Sequence, residues 1–355
     1  MIDWITAKVP MVHRQPIFGG AVLAFDEDGC MKWKRESFRQ LEGSFESTAV
    51  CQTHFRNDTA HRDAEATGYM HPLREVWISG NPSKFLQGHN LFGPDNLPAL
   101  APLFFRAVLE ALGMYVDDVT YQRWQAGDYE LDRVDVAYML DVGGPAEVRD
   151  CLAALAHQAT YANRGRGVLQ AGTVQWGKRT ARNTVVKAYD KYTEIAAAGK
   201  KRQLPETLPH RGDLYDFAVG KLRVEVEFHS RQLNKLNLRQ GRFWHADTAN
   251  IQWGYAMERL NISGQMPATS ALLKALPRRL QRTYMQWESG RDLRAWMSSA
   301  TFKRHRKDLL GHGVDIAQPF NADHKPRVIS LQRVLQPVPA LTPACAYGTS
   351  LLAAS

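Results

Sequence analysis

From Lys221 to Phe228 the sequence KLRVEVEF alternates without a break, with Leu222, Val224, Val226 and Phe228 opposed to Lys221, Arg223, Glu225 and Glu227. Side chains leave a strand on opposite faces with a period of two, so burying the apolar set requires a β-strand. Two other runs carry the same signature. In Arg133 to Leu140, Val134, Val136, Tyr138 and Leu140 oppose Arg133, Asp135, Ala137 and Met139. Around KAYDKY, Thr184, Val186 and Ala188 oppose Val185, Lys187, Tyr189 and Lys191. If the three strands share one sheet, Asp135, Tyr189, Glu225 and Glu227 meet on its open face.

Such a face has a chemical use. Two or three carboxylates bind a hard divalent cation through oxygen, and the cation polarises a phosphodiester. A tyrosine phenol, with an ordinary pKa of about 10, can then act as a nucleophile if the metal and nearby cationic side chains activate it. Ordinary amphipathic strands with a solvated face give the same alternation, so the pattern supplies geometry and not a reaction.

The remaining chain mixes strands with helices. ITAKV, GAVLAF and EVWIS read as strands bounded by Gly, Pro and Asn, with a polar loop between Arg56 and Thr67. Residues 99 to 113 carry a helical apolar pattern stopped by Gly113, and Pro145 opens a second helix running to about Ala159. Thr173 to Trp176 and Thr184 to Asp190 form a hairpin whose turn, GKRTARN, is strongly basic; there Lys178, Arg179 and Arg182 are candidates to meet phosphates. The expected class is α+β: an antiparallel sheet domain flanked by helices over 1–245, a helical region over 246–318, and a Pro/Ala-rich flexible tail over 319–355.

Net charge of +9 suits a polyanionic partner, though basic proteins without one are common. The excess is concentrated. Ala271 to Leu309 holds ten Lys or Arg against three acids. Asp292 to Met297, a Ser298-Ser299 cap and Phe302 to Leu310 read as helix, turn and helix, the last presenting Lys303, Arg304, Arg306 and Lys307 to DNA; a basic helical support for the sheet is the alternative. Cys30, Cys51, Cys151 and Cys345 lie far apart without CxxC spacing, which argues against a zinc knuckle or a disulfide framework. No export signal and no apolar run of about 18 residues is present, so a cytoplasmic protein without a membrane partner is expected. Walker, dinucleotide, HExxH and GxSxG motifs are absent.

Four segments, SKFLQGHNLFG at Ser83 to Gly93, LDRVDVAY at Leu131 to Tyr138, VVKAYDK at Val185 to Lys191 and VGKLRVEVE at Val219 to Glu227, resemble the filamentous-phage replication initiators of the gene II and X family in order and spacing. The strand motifs also resemble those of rolling-circle plasmid initiators. The resemblance implies a relaxase-like nicking fold. It implies that Tyr189 attacks one strand of a phage double-stranded origin, keeps the 5′ phosphate, and later rejoins the displaced strand. It further implies Mg²⁺ or Mn²⁺ on Asp135, Glu225 and Glu227, with Lys187 and Lys191 beside the nucleophile and Arg133 and Arg223 toward DNA. Double- and single-stranded origin DNA, a host helicase, polymerase and single-strand-binding protein, and the host bacterial cytoplasm follow as partners and location. A non-catalytic origin-binding regulator and a mobilisation relaxase remain the other readings.

Some positions depart from the plasmid pattern. Met139 replaces a second Asp, which leaves Asp141 as a further ligand candidate, and Lys187 replaces an Arg. No two of the twelve histidines lie closer than seven residues, so a histidine-bound metal is not expected. Tyr192 is a second candidate nucleophile for closing. His89 and Asn90 could contact the origin, although a Gly-flanked loop with a capping Asn would look the same.

Overall fold

The computed structural model describes residues 1–42, 48–54, 73–162, 165–178, 180, 182–197, 203–262, 276–288, 291–312 and 314–317. Along the chain the strands are β1 (Ile2–His13), β2 (Gly20–Phe25), β3 (Met31–Ser37), β4 (Arg39–Glu42), β5 (Thr48–Thr53), β6 (Leu73–Gly80), β7 (Glu130–Asp141), β8 (Ala159–Tyr161), β9 (Val168–Gln170), β10 (Thr173–Trp176), β11 (Thr184–Asp190), β12 (Lys221–His229) and β13 (Leu260–Ile262). The α-helices are α1 (Pro82–Gln87), α2 (Leu97–Ala111), α3 (Asp118–Gln125), α4 (Pro145–Gln158), α5 (Lys191–Ala196), α6 (Arg211–Ala218), α7 (Ser230–Lys235), α8 (Thr248–Glu258), α9 (Arg278–Glu288) and α10 (Ser299–Leu310).

Nine strands form one sheet in the order β4-β5-β6-β1-β7-β12-β11-β10-β9, with every pairing antiparallel. The α+β class with an antiparallel sheet is as expected. The three alternating strands are neighbours at its centre, β7-β12-β11. Their apolar sets, including Val134, Val136, Val186, Val224 and Val226, enter the main core with α2 residues Leu100, Phe104, Phe105 and Val108. Asn96 caps α2 by accepting from Ala99 N, and Gly113 follows it at φ 74°, a left-handed turn that suits glycine.

The opposite face of the centre is not solvated as an ordinary amphipathic sheet would be. Asp135, Arg223, Glu225 and Glu227 are all buried, and a second cluster of Leu91, Met139, Ile195, Leu204, Leu208, Leu214 and Ala218 covers its lower end. Alternation placed the residues on the face; the connection from β11 to β12, with α5 and α6, and Leu91 after α1 closed over it.

The main core also reaches beyond residue 245. Ala249, Trp253 and Ala256 of α8 belong to it, Trp253 packs on Tyr138 at 4.9 Å between ring centroids, and β13 pairs with β8. A separate core begins at Leu276 and ends at Ile316. There the expected helix over Asp292 to Met297 is only a single 3₁₀ turn, Leu293–Ala295, because Asp292 caps Arg294 N and the chain turns at once into α10, capped by Ser298. Among the described residues α9 and α10 pack together, and the stretch from 291 to 298 between them is already too long for the 3–4-residue turn of a helix-turn-helix. The proposed tail lies outside the described residues. Among the described residues, no helix is long and apolar enough to cross a membrane.

Candidate active site

The central register decides what meets what. Asp135 stands opposite Glu227 across β7 and β12, while Lys187 stands opposite Glu225 and Tyr189 opposite Arg223 across β12 and β11. Opposed residues share a face, so the alternation read from three separate segments becomes one surface. One oxygen from each of Asp135, Glu225 and Glu227 lies within 4.8 Å of the others. The Tyr189 hydroxyl donates to Glu225 Oε2 at 3.3 Å.

Cations surround these acids. Arg133 grips Asp135 with two hydrogen bonds, Nε to Oδ1 at 2.7 Å and Nη2 to Oδ2 at 2.5 Å, and reaches Glu227 at 3.2 Å. Lys187 pairs with Glu227 and lies 4.0 Å from Glu225. His229 Nε2 sits 3.0 Å from Glu227 Oε2.

The electrostatics split the three carboxyls. Burial pushes Asp135 well above the usual range, with help from Glu225 and Glu227 and against Arg133. Burial and the charge of Asp3 likewise raise Glu225. For Glu227 burial acts upward, but the His229 hydrogen bond and the charges of Arg133 and Lys187 outweigh it and hold the group at about 2. Burial also raises the Tyr189 phenol well above 10, Glu225 adds to that rise, and Arg223 opposes it. The resting tyrosine is therefore protonated, with a carboxylate in hydrogen-bonding position.

Beneath Tyr189 lies a buried ion network. Arg223, with no exposed surface, donates to Asp3 Oδ1 at 2.7 Å and to the Asn90 carbonyl at 2.7 Å. Asp3 also accepts from Asn81 at 2.7 Å and Asn90 at 2.8 Å. Lys191 donates to Asn90 Oδ1 at 3.0 Å and to Glu194 at 2.5 Å, and its ammonium lies 5.9 Å from the centre of the Tyr189 ring.

This network explains the segment around QGHN. Asn81 caps α1 by accepting from Lys84 N, Pro82 opens the helix, and Gly88 ends it at φ 83°. The next turn delivers Asn90 to Asp3, Arg223 and Lys191. Asn90 is thus engaged as an internal buttress. His89 is buried, packs on Phe92 at 4.5 Å, and is pushed down to about 4 by burial and by Lys191. Of the two expected roles, contacting the origin or lining the site, Asn90 takes the second, through Lys191, and the His89 ring is turned into the interior.

Other expected residues fall as follows. Lys191 opens α5 instead of extending β11, yet still turns under Tyr189. Tyr192, past the end of the strand, lies on the far side of that turn against Tyr215 at 6.4 Å. Asp141 is exposed and paired with Lys221 at 2.8 Å, away from the acidic cluster. Met139 fills the place of the second acid with a sulfur 4.0 Å from Arg223. Lys178 and Arg182 are exposed at the β10–β11 turn, and Arg179 lies outside the described residues. On α10, Lys303, Arg304 and Lys307 are exposed, whereas Arg306 is held by Asp315 at 2.7 and 2.8 Å.

Two members escaped the sequence reading. His229 continues the alternation of Glu225 and Glu227, so its signal was present. Asp3 lies 220 positions before Arg223, and nothing local marks it.

Comparison with known proteins gives a consistent result. The family model for the N-terminal part of the phage gene II replication-associated protein matches residues 1–247, and the model for its C-terminal part matches residues 270–350. The chain is 34% identical over 343 residues to the gene II replication-associated protein of Enterobacteria phage I2-2, covering 97% of this chain and 95% of the relative. It is 26% identical over 202 residues to the gene II replication-associated protein of Salmonella phage IKe, covering 53% of this chain and 45% of that relative. No solved structure gives a significant match.

Proposed function

Because the chain belongs to the gene II replication-associated protein family of filamentous phages in both its N-terminal and C-terminal parts, we propose that it initiates rolling-circle replication by cutting one strand of a double-stranded origin with Tyr189. The observation that carries this reading is the Tyr189 hydroxyl bonded to Glu225 at 3.3 Å beside two further carboxylates.

In this reading Glu225 takes the phenolic proton as the tyrosine oxygen attacks the phosphorus. The 3′ oxygen leaves and is protonated by solvent, and the enzyme keeps the 5′ phosphate as a phosphotyrosine. Lys191 and Arg223 supply positive charge next to the developing phenolate, while Arg133, Lys187 and His229 hold the carboxylates in place. The acidic cluster suits a hard cation: its donors are all oxygen, they lie within 4.8 Å, and burial, with neighbouring carboxylates adding to it, raises two of them. Mg²⁺ or Mn²⁺ bound by Asp135, Glu225 and Glu227 would supply a Lewis acid for the phosphodiester oxygen.

The freed 3′ hydroxyl primes a host polymerase, with a host helicase opening the duplex and single-strand-binding protein covering the displaced strand. A second transfer rejoins that strand. The reaction belongs in the host bacterial cytoplasm. Lys178, Arg182, Lys303, Arg304 and Lys307 are the exposed cations proposed to hold origin phosphates.

Supercoiled origin DNA incubated with Mg²⁺ tests this reading. Relaxed circles and a covalent adduct are expected from the natural sequence and not from Tyr189→Phe. No cleavage at all would favour a non-catalytic origin-binding protein, and cleavage confined to a conjugative transfer origin would favour a relaxase.

A further inference from the structure

Outside the main sheet, among the described residues, β2 and β3 pair only with each other, and their faces are open to solvent. A free two-stranded ribbon is marginally stable in water, and clustered exposed apolar groups mark interaction sites. On one face Trp33, 52% exposed, stands opposite Ala24 and next to the Val22–Arg35 pair. On the other, Phe25 stands opposite Met31, at 57% and 58% exposed.

The charges are sorted as well. β3 reads MKWKRES, in which Lys32, Lys34 and Arg35 alternate with or follow the tryptophan against a single acid, Glu36. Glu36 meets Lys34 at 2.7 Å, an exposed pair of little energetic weight that a phosphate can displace. The other acids, Asp26, Glu27 and Asp28, gather at the tip, where the Asp26 carboxylate accepts from Cys30 N at 2.7 Å to build the turn.

The ribbon is rooted on the same sheet face as the acidic cluster. Asp135 is opposite Trp4 across β7 and β1, Arg133 lies over the Trp4 ring at 5.7 Å, and Trp4 Nε1 donates to Ser79 at 3.0 Å. Lys8 and Trp77 are opposite each other on that face, and Phe38, immediately after β3, stacks on Trp77 at 4.7 Å. From Asp135 this face crosses two strand spacings to β6, roughly 10 Å, and runs four residues along β1 from Trp4 to Lys8, roughly 13 Å, to reach the level of Trp77.

We infer that the β2–β3 ribbon binds single-stranded DNA, stacking an unpaired base on Trp33 with Arg35 of the same face on its phosphate. Lys32 and Lys34 of the opposite face meet the strand where it passes the ribbon's edge. The sheet face over Trp4 and Trp77 leads the strand there from the acidic cluster. Cations interleaved with a solvent-facing ring match a charged backbone whose bases are free to stack, which a closed duplex does not offer. The inference rests on the proposal that DNA is the substrate.

The test uses the full-length protein and a fluorescent oligo(dT) of about 20 nucleotides, with anisotropy followed over a range of salt. Trp33→Ala should weaken binding about tenfold, as expected for loss of one stacked base. Replacing Lys32, Lys34 and Arg35 with Ala should reduce the slope of log affinity against log salt by about two. Because these side chains are exposed, circular dichroism should report an unchanged fold. In the natural sequence, an oligonucleotide carrying 5-iododeoxyuridine should photocross-link to the ribbon, a readout that needs no variant. Unchanged affinity and slope, with cross-links elsewhere, would overturn the inference. So would a loss confined to duplex DNA, or a Trp33-dependent dimer seen by sedimentation with single-strand binding intact. Adduct formation at Tyr189 is measured in parallel: a nicking protein with a silent ribbon refutes this inference alone, and a binding protein that never nicks refutes only the function proposed above.

Discussion

At the scale of single residues, the site rests on charges that burial makes expensive to leave unpaired. Removing one partner of the Asp3–Arg223 pair strands the other in the interior, so Asp3→Ala should cost about 3–5 kcal/mol in chemical denaturation. Asp135 and Glu225, both raised, favour the folded state while protonated, and that contribution is lost as pH rises through their folded values. Above those values their repulsion is open to relief by a cation. Mg²⁺ or Mn²⁺ should therefore raise the melting temperature more at pH 8 than at pH 5, and this gain should vanish in Asp135→Asn; an equal shift at both pH values would speak against the carboxylate site. Glu227 behaves oppositely: its ion pairs contribute above about 4.5 and are lost as pH falls toward its value of about 2. Period-two alternation put Tyr189, Asp135, Glu225 and Glu227 on one face only on the condition that the three strands share a sheet, and the pairing β7-β12-β11 supplies that condition. The burial of the three carboxyls was not legible, nor was the network of Asp3, Asn81 and Asn90 around Arg223, which comes from other parts of the chain.

At the scale of elements, α1 and the turn after it exist to present Asn90. Gly88 adopts a left-handed conformation there, so Gly88→Ala should cost about 1 kcal/mol in stability. It should also slow adduct formation by loosening the hold on Arg223 and Lys191; a stability loss with an unaltered rate would separate α1 from the site. Sequence punctuation foretold α2 and α4 well, through Gly113 and Pro145, and the hairpin of β10 and β11 through its polar turn. It misjudged the region of Asp292 to Met297, where good helix-forming residues are overruled by an Asp cap three positions before Ala295 and a Ser cap immediately after Met297. Lys191 was misplaced for a related reason: Asp190 caps α5 and ends the strand one residue early.

For the whole molecule, two cores divide the work. The first reaches Leu260, and the second spans Leu276 to Ile316 with Lys303, Arg304 and Lys307 exposed on α10. A chain ended after Ile262 keeps every member of the first core and should still form an adduct with a single-stranded origin oligonucleotide. Its duplex affinity should fall, with a salt slope lower by about three if those cations each meet a phosphate. That α8 packs with the sheet was hidden in the sequence, since it has a helical pattern like its successors and only its packing on Tyr138 assigns it. The proposed chemistry stands on one atom, the Tyr189 hydroxyl. Its most direct test is to react the protein with origin DNA and Mg²⁺, digest both polymers, and sequence the cross-linked peptide by mass spectrometry. A 5′-phosphorylated nucleotide on Tyr189 is the predicted result; one on Tyr192 or any other residue would contradict it.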